Sequence, residues 1–325
     1  MHFKTPVFWY RKSRWLAYFL WPLSAIYNLG HKVLTSLKKP QKAKLPVFCV
    51  GNAVLGGAGK TPFTELLIQS LKELGQTPHI LTRGYGKKSK AKQIKVHNHT
   101  AKDVGEEALL LKEFATTWVG SNRYKSAKNA FKDGASCVVM DDGLQHESLK
   151  KDVTFLVVDN KQGFGNGFLF PAGPLRESLK DVSKKITAIC LVCEKYEKRR
   201  ISMCRQLKSM PLFTFYKGYD FKLKPQKVIA FCGLGYPWKF FDSLELLGFS
   251  CQEKIIFPDH YSYSTKDLTS LIKKAKELNL PLITTQKDFV KIPADFQTDI
   301  NVLMLKIIPE DETSWKNFLL MNLQN

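Results

Sequence analysis

The sequence predicts an α/β fold: a mainly parallel sheet sandwiched by helices, a second and smaller α/β domain after it, and a helix at the N-terminus. Three observations predict it. Short β-rich apolar runs alternate with stretches of helical periodicity between residues 46 and 158, the pattern of a parallel sheet covered on both faces. One of those runs ends in a glycine-rich turn that leads into Lys60-Thr61 and a helix. Beyond residues 213–225, which carry aromatic and lysine residues without helix signals, a strand and a glycine turn restart at 228–235.

The N-terminal element comes first. Phe8, Trp9, Tyr10, Trp15, Tyr18, Phe19, Trp21 and Tyr27 are interleaved with Arg11, Lys12 and Arg14, and His31, Lys32, Lys38, Lys39, Lys42 and Lys44 follow. The uncharged run from Trp15 to Leu29 is shorter than the ~20 residues that span a bilayer, and Pro22 interrupts it. Aromatic rings mixed with cations suit a helix lying at a membrane surface, rings at headgroup depth and charges on anionic lipid. A helix packed on the protein's own core is the alternative. A signal peptide fits less well, because there is no small-residue cleavage site.

The next element carries the chemistry. Residues 46–55 form an apolar run that ends in Gly56-Gly57-Ala58-Gly59-Lys60-Thr61-Pro62. Glycines let backbone N–H groups converge on phosphate oxygens, the lysine reaches the β/γ-phosphates, and the threonine hydroxyl ligates Mg²⁺. Pro62 suits a first helical turn, and Phe63, Leu66, Leu67, Leu71 and Leu74 continue at helical spacing. Val54 stands where the usual phosphate loop has its first glycine.

A strand at 77–82 then runs into Arg83-Gly84-Tyr85-Gly86, followed by a lysine-dense loop or hairpin at 87–95. Helical character at 108–114, a strand at 116–120 and a helix at 124–131 lead to the apolar run 135–140. That run ends in Asp141-Asp142-Gly143, where a P-loop fold places the acids that organise Mg²⁺. A plain turn is the other reading of the pair. A strand at 153–159, a Gly/Pro-rich loop at 163–174 and a strand at 186–193 follow. Cys190 and Cys193 fall inside the last of these and are expected as core residues, not metal ligands.

In the second domain, Phe240, Phe241, Leu244 and Leu247 mark one helix, and 254–257 a strand ending at Pro258-Asp259-His260. Ser264 with Asp267 three residues on signals the start of another helix. Strands at 282–285 and 302–305 complete it. The expected division is a membrane-associated segment 1–35, a nucleotide-binding domain 36–215, a linker 216–225, and a C-terminal domain 226–325.

Lys and Arg number 50 against 29 Asp and Glu, a formal charge of +21. Such a surplus asks for an anionic partner: nucleic acid, an acidic membrane face, or a phosphorylated substrate. No nucleic-acid-binding signature is present. Seven irregularly spaced cysteines argue for a reducing compartment.

The motifs taken together resemble one family, the tetraacyldisaccharide 4'-kinases of lipid A biosynthesis in Gram-negative bacteria. The resemblance rests on Gly51-Asn52 with the Gly56 to Pro62 loop, Arg83-Gly84-Tyr85-Gly86, Gly105-Glu106-Glu107, and Asp141-Asp142-Gly143-Leu144-Gln145-His146. It continues through Phe164-Gly165-Asn166-Gly167, Pro171-Ala172-Gly173-Pro174-Leu175-Arg176-Glu177, Phe257-Pro258-Asp259-His260 and Thr284-Thr285-Gln286-Lys287-Asp288. Val54 belongs to that family's pattern. The resemblance implies phosphoryl transfer from ATP, with Mg²⁺, to the 4'-hydroxyl of a tetraacylated glucosamine disaccharide 1-phosphate. It implies a monotopic protein on the cytoplasmic face of the inner membrane, with an anionic membrane surface as partner, no nucleic acid and no obligate protein partner.

Position by position, the resemblance makes Lys60, Asp141, Asp142, Glu106 and His260 the catalytic set, and it implies that the C-terminal domain closes over the site to bring His260 in. Glu106 stands where the family has an aspartate as proton acceptor, one methylene shorter, and Glu107 is the local alternative. Arg83, Arg123 and Arg176 are expected to meet phosphate, since guanidinium grips phosphate oxygens bidentately; His146 has a structural or a functional role. The competing function is a membrane-recruited positioning or partitioning ATPase. Leu55 stands where such ATPases carry an extra lysine.

Overall fold

The computed structural model describes residues 6–10, 15–36, 39–56, 59–87, 89, 91, 93–195, 197, 207–259 and 261–324. Its chain divides into two compact units, one formed by Pro6–Gly218 with Lys306–Asn325, the other by Tyr219–Leu305.

The first unit is a doubly wound α/β layer. Its strands are β1 (Val47–Gly51), β2 (Pro78–Thr82), β3 (Gln93–Lys95), β4 (Thr117–Gly120), β5 (Cys137–Met140), β6 (Val153–Asp159), β7 (Ala188–Cys193) and β8 (Leu212–Asp220). They lie in the order β8-β7-β6-β1-β5-β2-β4-β3. All pair in parallel except the short edge strand β3, which runs antiparallel to β4. Residues of β1, β2, β5, β6 and β7 are buried throughout, which explains their continuous apolar runs. After β1 the chain winds to the β5 side, then crosses to β6 on the other side. The crevice at the C-terminal end of β1 is therefore the topological switch point, where ligands of such sheets bind.

Helices α2 (Lys60–Glu73), α3 (Ala101–Val104), α4 (Glu106–Lys112), α5 (Arg123–Lys132) and α6 (Leu179–Ser183) connect the strands. Phe63, Leu67, Ile68 and Leu71 of α2 are buried in the largest core, against Phe155 and Phe215. Cys190 belongs to that core and Cys193 to the core on the opposite face, because residues three apart in a strand point opposite ways. One metal ion could not take both.

The expected linker 216–225 is in part strand: β8 continues to Asp220 and pairs with β7 through Cys193↔Tyr216. Its buried Phe215 feeds the core while its outward residues are aromatic and lysine, which masked the strand pattern.

The end of the chain also departs from the expected division. Helix α11 (Glu312–Leu323) groups with the first unit because fully buried Trp315 packs on Phe155 and Phe215 at ring separations of 5.2 and 5.3 Å and donates its Nε1–H to Ser70 Oγ at 3.0 Å.

The second unit holds β9 (Lys227–Cys232), β10 (Ser250–Ile256), β11 (Leu282–Thr285) and most of β12 (Ile300–Pro309), in the parallel order β10-β9-β11-β12. Helices α7 (Trp238–Leu246), α8 (Thr265–Glu277), α9 (Gln286–Phe289) and α10 (Ala294–Gln297) complete it. The expected Ser264–Asp267 capping box is present, with reciprocal bonds.

At the N-terminus, α1 (Trp15–Ser36) continues past Pro22. One stripe packs on the Gly/Pro-rich loop: buried Ser24 donates to the Leu169 carbonyl at 2.9 Å and accepts from Ala172 N–H, while the Tyr18 and Tyr27 rings sit on Phe168 and Phe170. The other stripe, Trp15, Phe19, Ile26, Leu29 and Val33, is exposed. Arg11, Lys12, Arg14 and Lys38 lie outside the described residues. No described helix is long and apolar enough to cross a membrane.

Candidate active site

Three loops of the first unit meet at the switch point, each leaving the C-terminal end of a strand. The turn after β1 carries Gly56 and Gly59 at φ 115° and 82°, a backbone that glycine adopts without a Cβ clash. Gly59 is the N-cap of α2, and no side chain caps that helix. Its opening N–H groups and the positive end of its dipole are thus directed at the loop, the arrangement that binds phosphate. Gly57 and Ala58 lie outside the described residues.

Lys60 opens α2. Its ammonium donates to Asn52 Oδ1 at 3.2 Å and lies 3.5 Å from Asp142. Asn52 is fully buried and donates to the Val54 carbonyl at 2.8 Å and the Gly56 carbonyl at 3.3 Å, so one side chain both shapes the turn and aims the lysine. Thr64, one turn after Lys60, donates its hydroxyl to Asp141 at 2.8 Å. Thr61 is half-buried beside it.

Beyond β5 the two aspartates differ in environment. Asp141 is 2% exposed. Burial, with Glu107 and Asp142 adding repulsion, pushes its carboxyl up to about 7, despite Lys60 and the Thr64 hydroxyl. Asp142 adopts φ 48°, unusual for a residue with a side chain. Burial works to raise its carboxyl too, but Lys60 and Arg176 outweigh that and hold it below the ordinary aspartate value. Arg176 donates to both Asp142 oxygens and to Gln145 Oε1, each at 3.2 Å. Gln145 in turn donates to the Asn52 carbonyl.

The Arg176 loop is itself fastened. Its N–H donates to the Ala53 carbonyl at 2.8 Å. Next to it, nearly buried Glu177 pairs with Lys185 at 2.7 Å, and Lys185 also pairs with Glu147 at 2.9 Å. That cation joins the loop of Arg176 to the loop of Asp142.

The structure therefore brings Lys60, Asp141, Asp142 and Arg176 together, with Glu107 close enough to raise Asp141. Glu106 and Glu107 open α4 on the neighbouring loop. Arg123 is interior: it is 2% exposed, donates to the Gly120 carbonyl, and is drawn down to about 10 by burial while Asp141 favours its charge. Arg83 is exposed and close enough to oppose the Arg123 charge. The His146 ring lies between the Ser121 carbonyl at 3.1 Å and Ser148 Oγ at 3.2 Å. His260 lies outside the described residues. Sequence reasoning assigned no role to Asn52, Thr64 or Gln145. Thr64 could have been found from its spacing, four residues after Lys60 on one helix face.

Comparison with known proteins agrees with this architecture. The family model described as Tetraacyldisaccharide-1-P 4'-kinase matches residues 16–324. A tetraacyldisaccharide 4'-kinase of Parvibaculum lavamentivorans is 39% identical over 89% of this chain and 86% of its own length. One from Gluconobacter oxydans is 37% identical over 97% of both. Among solved structures, LpxK from Aquifex aeolicus in complex with ATP superposes with a TM-score of 0.78 at 28% identity, covering 95% of this chain and 99% of that one. With the family model spanning nearly its whole length and relatives above a third identical, this chain belongs to the tetraacyldisaccharide 4'-kinase family.

Proposed function

We propose that this protein transfers the γ-phosphoryl group of ATP to the 4'-hydroxyl of a tetraacylated glucosamine disaccharide 1-phosphate, giving the 1,4'-bisphosphorylated lipid of lipid A synthesis. The observation that carries the reading is the convergence of Lys60, Asp141 and Asp142 on the uncapped start of α2.

Gly56, Gly57, Ala58 and Gly59 would cradle the phosphates, and the triphosphate would take Lys60 from Asn52 and Asp142. Thr61, Asp141 and Asp142 fit a hard divalent cation: they are oxygen donors, and the raised Asp141 marks a carboxylate cluster short of positive charge. A magnesium ion held there would neutralise charge on the β- and γ-phosphate oxygens. Arg176 keeps Asp142 ionised and oriented. Glu106 is the proposed proton acceptor, with Glu107 as the alternative, and His260 is proposed to assist. As the 4'-oxygen bonds to the γ-phosphorus, its proton passes to the carboxylate and the bond to the β-bridging oxygen breaks, the electron pair leaving on ADP. Arg83 is proposed to meet phosphate from its exposed position, and Arg123 to act from the interior by holding the charge of the Asp141 cluster.

We also propose that the exposed stripe of α1 lies on the inner membrane's anionic cytoplasmic surface. Its exposed aromatic and aliphatic residues and the +21 charge support this.

The test is transfer of label from γ-³²P-ATP to the 1-phosphorylated acceptor in detergent micelles with Mg²⁺. Labelled bisphosphorylated product is expected, and Lys60→Ala should abolish it while the protein stays folded. No labelled lipid from the unmodified protein would refute the proposal.

A further inference from the structure

Val54 stands where the usual phosphate loop has its first glycine, and its place in the fold gives the reason. It is buried and forms an antiparallel bridge with buried Leu175. Two backbone bonds flank that bridge: Arg176 N–H donates to the Ala53 carbonyl, and Leu55 N–H donates to the Pro174 carbonyl, each at 2.8 Å. Gly56 follows directly. The entry to the phosphate loop is therefore a short extended segment paired with residues 174–176, and a β-branched side chain suits such a segment better than glycine.

The paired residues end a strap that is braced internally. Gly173 N–H donates to the Leu169 carbonyl at 2.8 Å, Phe170 N–H to the Leu175 carbonyl at 2.9 Å, and the Asn166 side chain to the Ala172 carbonyl at 2.9 Å. The same strap is fastened to the N-terminal segment. Buried Ser24 of α1 accepts from Ala172 N–H at 3.1 Å and donates to the Leu169 carbonyl at 2.9 Å. Trp9, also buried, donates its indole N–H to the Pro171 carbonyl at 3.1 Å, and its own carbonyl accepts from Asn166 N–H at 2.7 Å.

A continuous run of hydrogen bonds thus leads from α1, through residues 166–175, to the residue before Gly56. A phosphate loop already held in its bound shape takes up a triphosphate without an ordering cost, whereas a loosened loop meets that cost on binding.

Resting on the reading of this loop as the ATP site, we propose that Ser24 is a positioning residue for the nucleotide. Through the strap it holds residues 53–55, and with them the phosphate loop, in the shape that ATP requires. Trp9 is the second fastening. The helix whose exposed stripe is proposed to meet lipid therefore also sets nucleotide affinity, from its buried stripe.

Equilibrium titration of the full chain with MgATP in detergent, without acceptor, tests this. Ser24→Ala should weaken ATP binding about fivefold, the worth of one hydrogen bond. In turnover assays the ATP KM should rise by the same factor and the acceptor KM should not change. Trp9→Phe, which keeps a ring but lacks the indole N–H, should act in the same direction, and it decides the matter if Ser24→Ala does not fold. Ala25→Ser, at the exposed neighbouring position of α1, should leave ATP affinity unchanged. A purely structural Ser24 would lower the melting temperature and leave the ATP affinity of the folded protein as it was, which overturns the proposal. A rise in the acceptor KM without one in the ATP KM overturns it too, as does an equal loss of ATP affinity in Ala25→Ser. Any of these in a chain that still binds ATP removes the role of Ser24 alone. Failure of the unmodified protein to bind ATP removes the reading of the site itself.

Discussion

Each unit buries a carboxylate near a lysine, and the two pairs are built to opposite ends. In the second unit Asp288 is fully buried and paired. Its carboxylate accepts from Gly233 N–H at 3.0 Å and the Thr285 hydroxyl at 2.7 Å, and pairs with Lys291 at 2.8 Å. Lys291 also lies over the Tyr263 ring. In the first unit Asp141 is 2% exposed, accepts from the Thr64 hydroxyl, and is repelled by Glu107 and Asp142. A buried charge paired with its opposite holds a fold together, whereas one set among like charges is poised for a ligand that brings the missing charge.

Four experiments would sharpen or break this contrast. The largest effect belongs to the proton acceptor: Glu106→Gln should lower kcat about 10²–10⁴-fold with ATP affinity intact, measured by acceptor turnover and nucleotide titration. Should Glu107→Gln be the inactive variant and Glu106→Gln the active one, the acceptor is Glu107.

Next is the ion pair of the second unit. Lys291→Met leaves a buried carboxylate without its cation and should destabilise the chain by about 3–5 kcal/mol, read by chemical denaturation. A fully stable Lys291→Met would end the claim that this pair is structural.

Asp141 should show the reverse sign. Its carboxyl is raised from 3.8 to about 7 in the fold, so between those values the folded state holds a proton that the unfolded state has released. Its contribution to stability is therefore lost as pH rises from about 4 to 7. Asp141→Asn should flatten that part of the pH–stability curve and be more stable than the unmodified protein at pH 8, by an amount of order 1–4 kcal/mol, while losing activity. An Asp141→Asn variant less stable at pH 8 would contradict the frustration argued here.

The smallest effect is at the surface. Replacing Phe19 and Ile26 by glutamate should reduce co-sedimentation with anionic vesicles several-fold without altering the melting temperature. Unchanged sedimentation would reject α1 as the lipid-facing element.

Much of this was legible in the residues. The strand before Gly56, the helix after Lys60 and the acids after β5 were each announced by local pattern, because phosphate binding constrains backbone and side chain at short range. The partners that tune them were harder to see. Asn52 and Gln145 act through hydrogen bonds to backbone groups, and Arg176 reaches Asp142 from a loop distant in sequence. The burial of Arg123 depends on the packing of β4 against α5, which no motif records. Strand β8 was hidden by its aromatic outer residues, and α11 showed no sign of which core it would complete.

That last helix has a consequence for how the protein is made. The chain leaves the first unit within β8, completes the second, and re-enters through β12. During synthesis the later-encoded unit can therefore mature while the earlier one still lacks the indole of Trp315. The larger unit stays open at its aromatic centre until Trp315 has followed the second unit out of the ribosome, so a segment encoded after that unit governs when the phosphate site becomes firm.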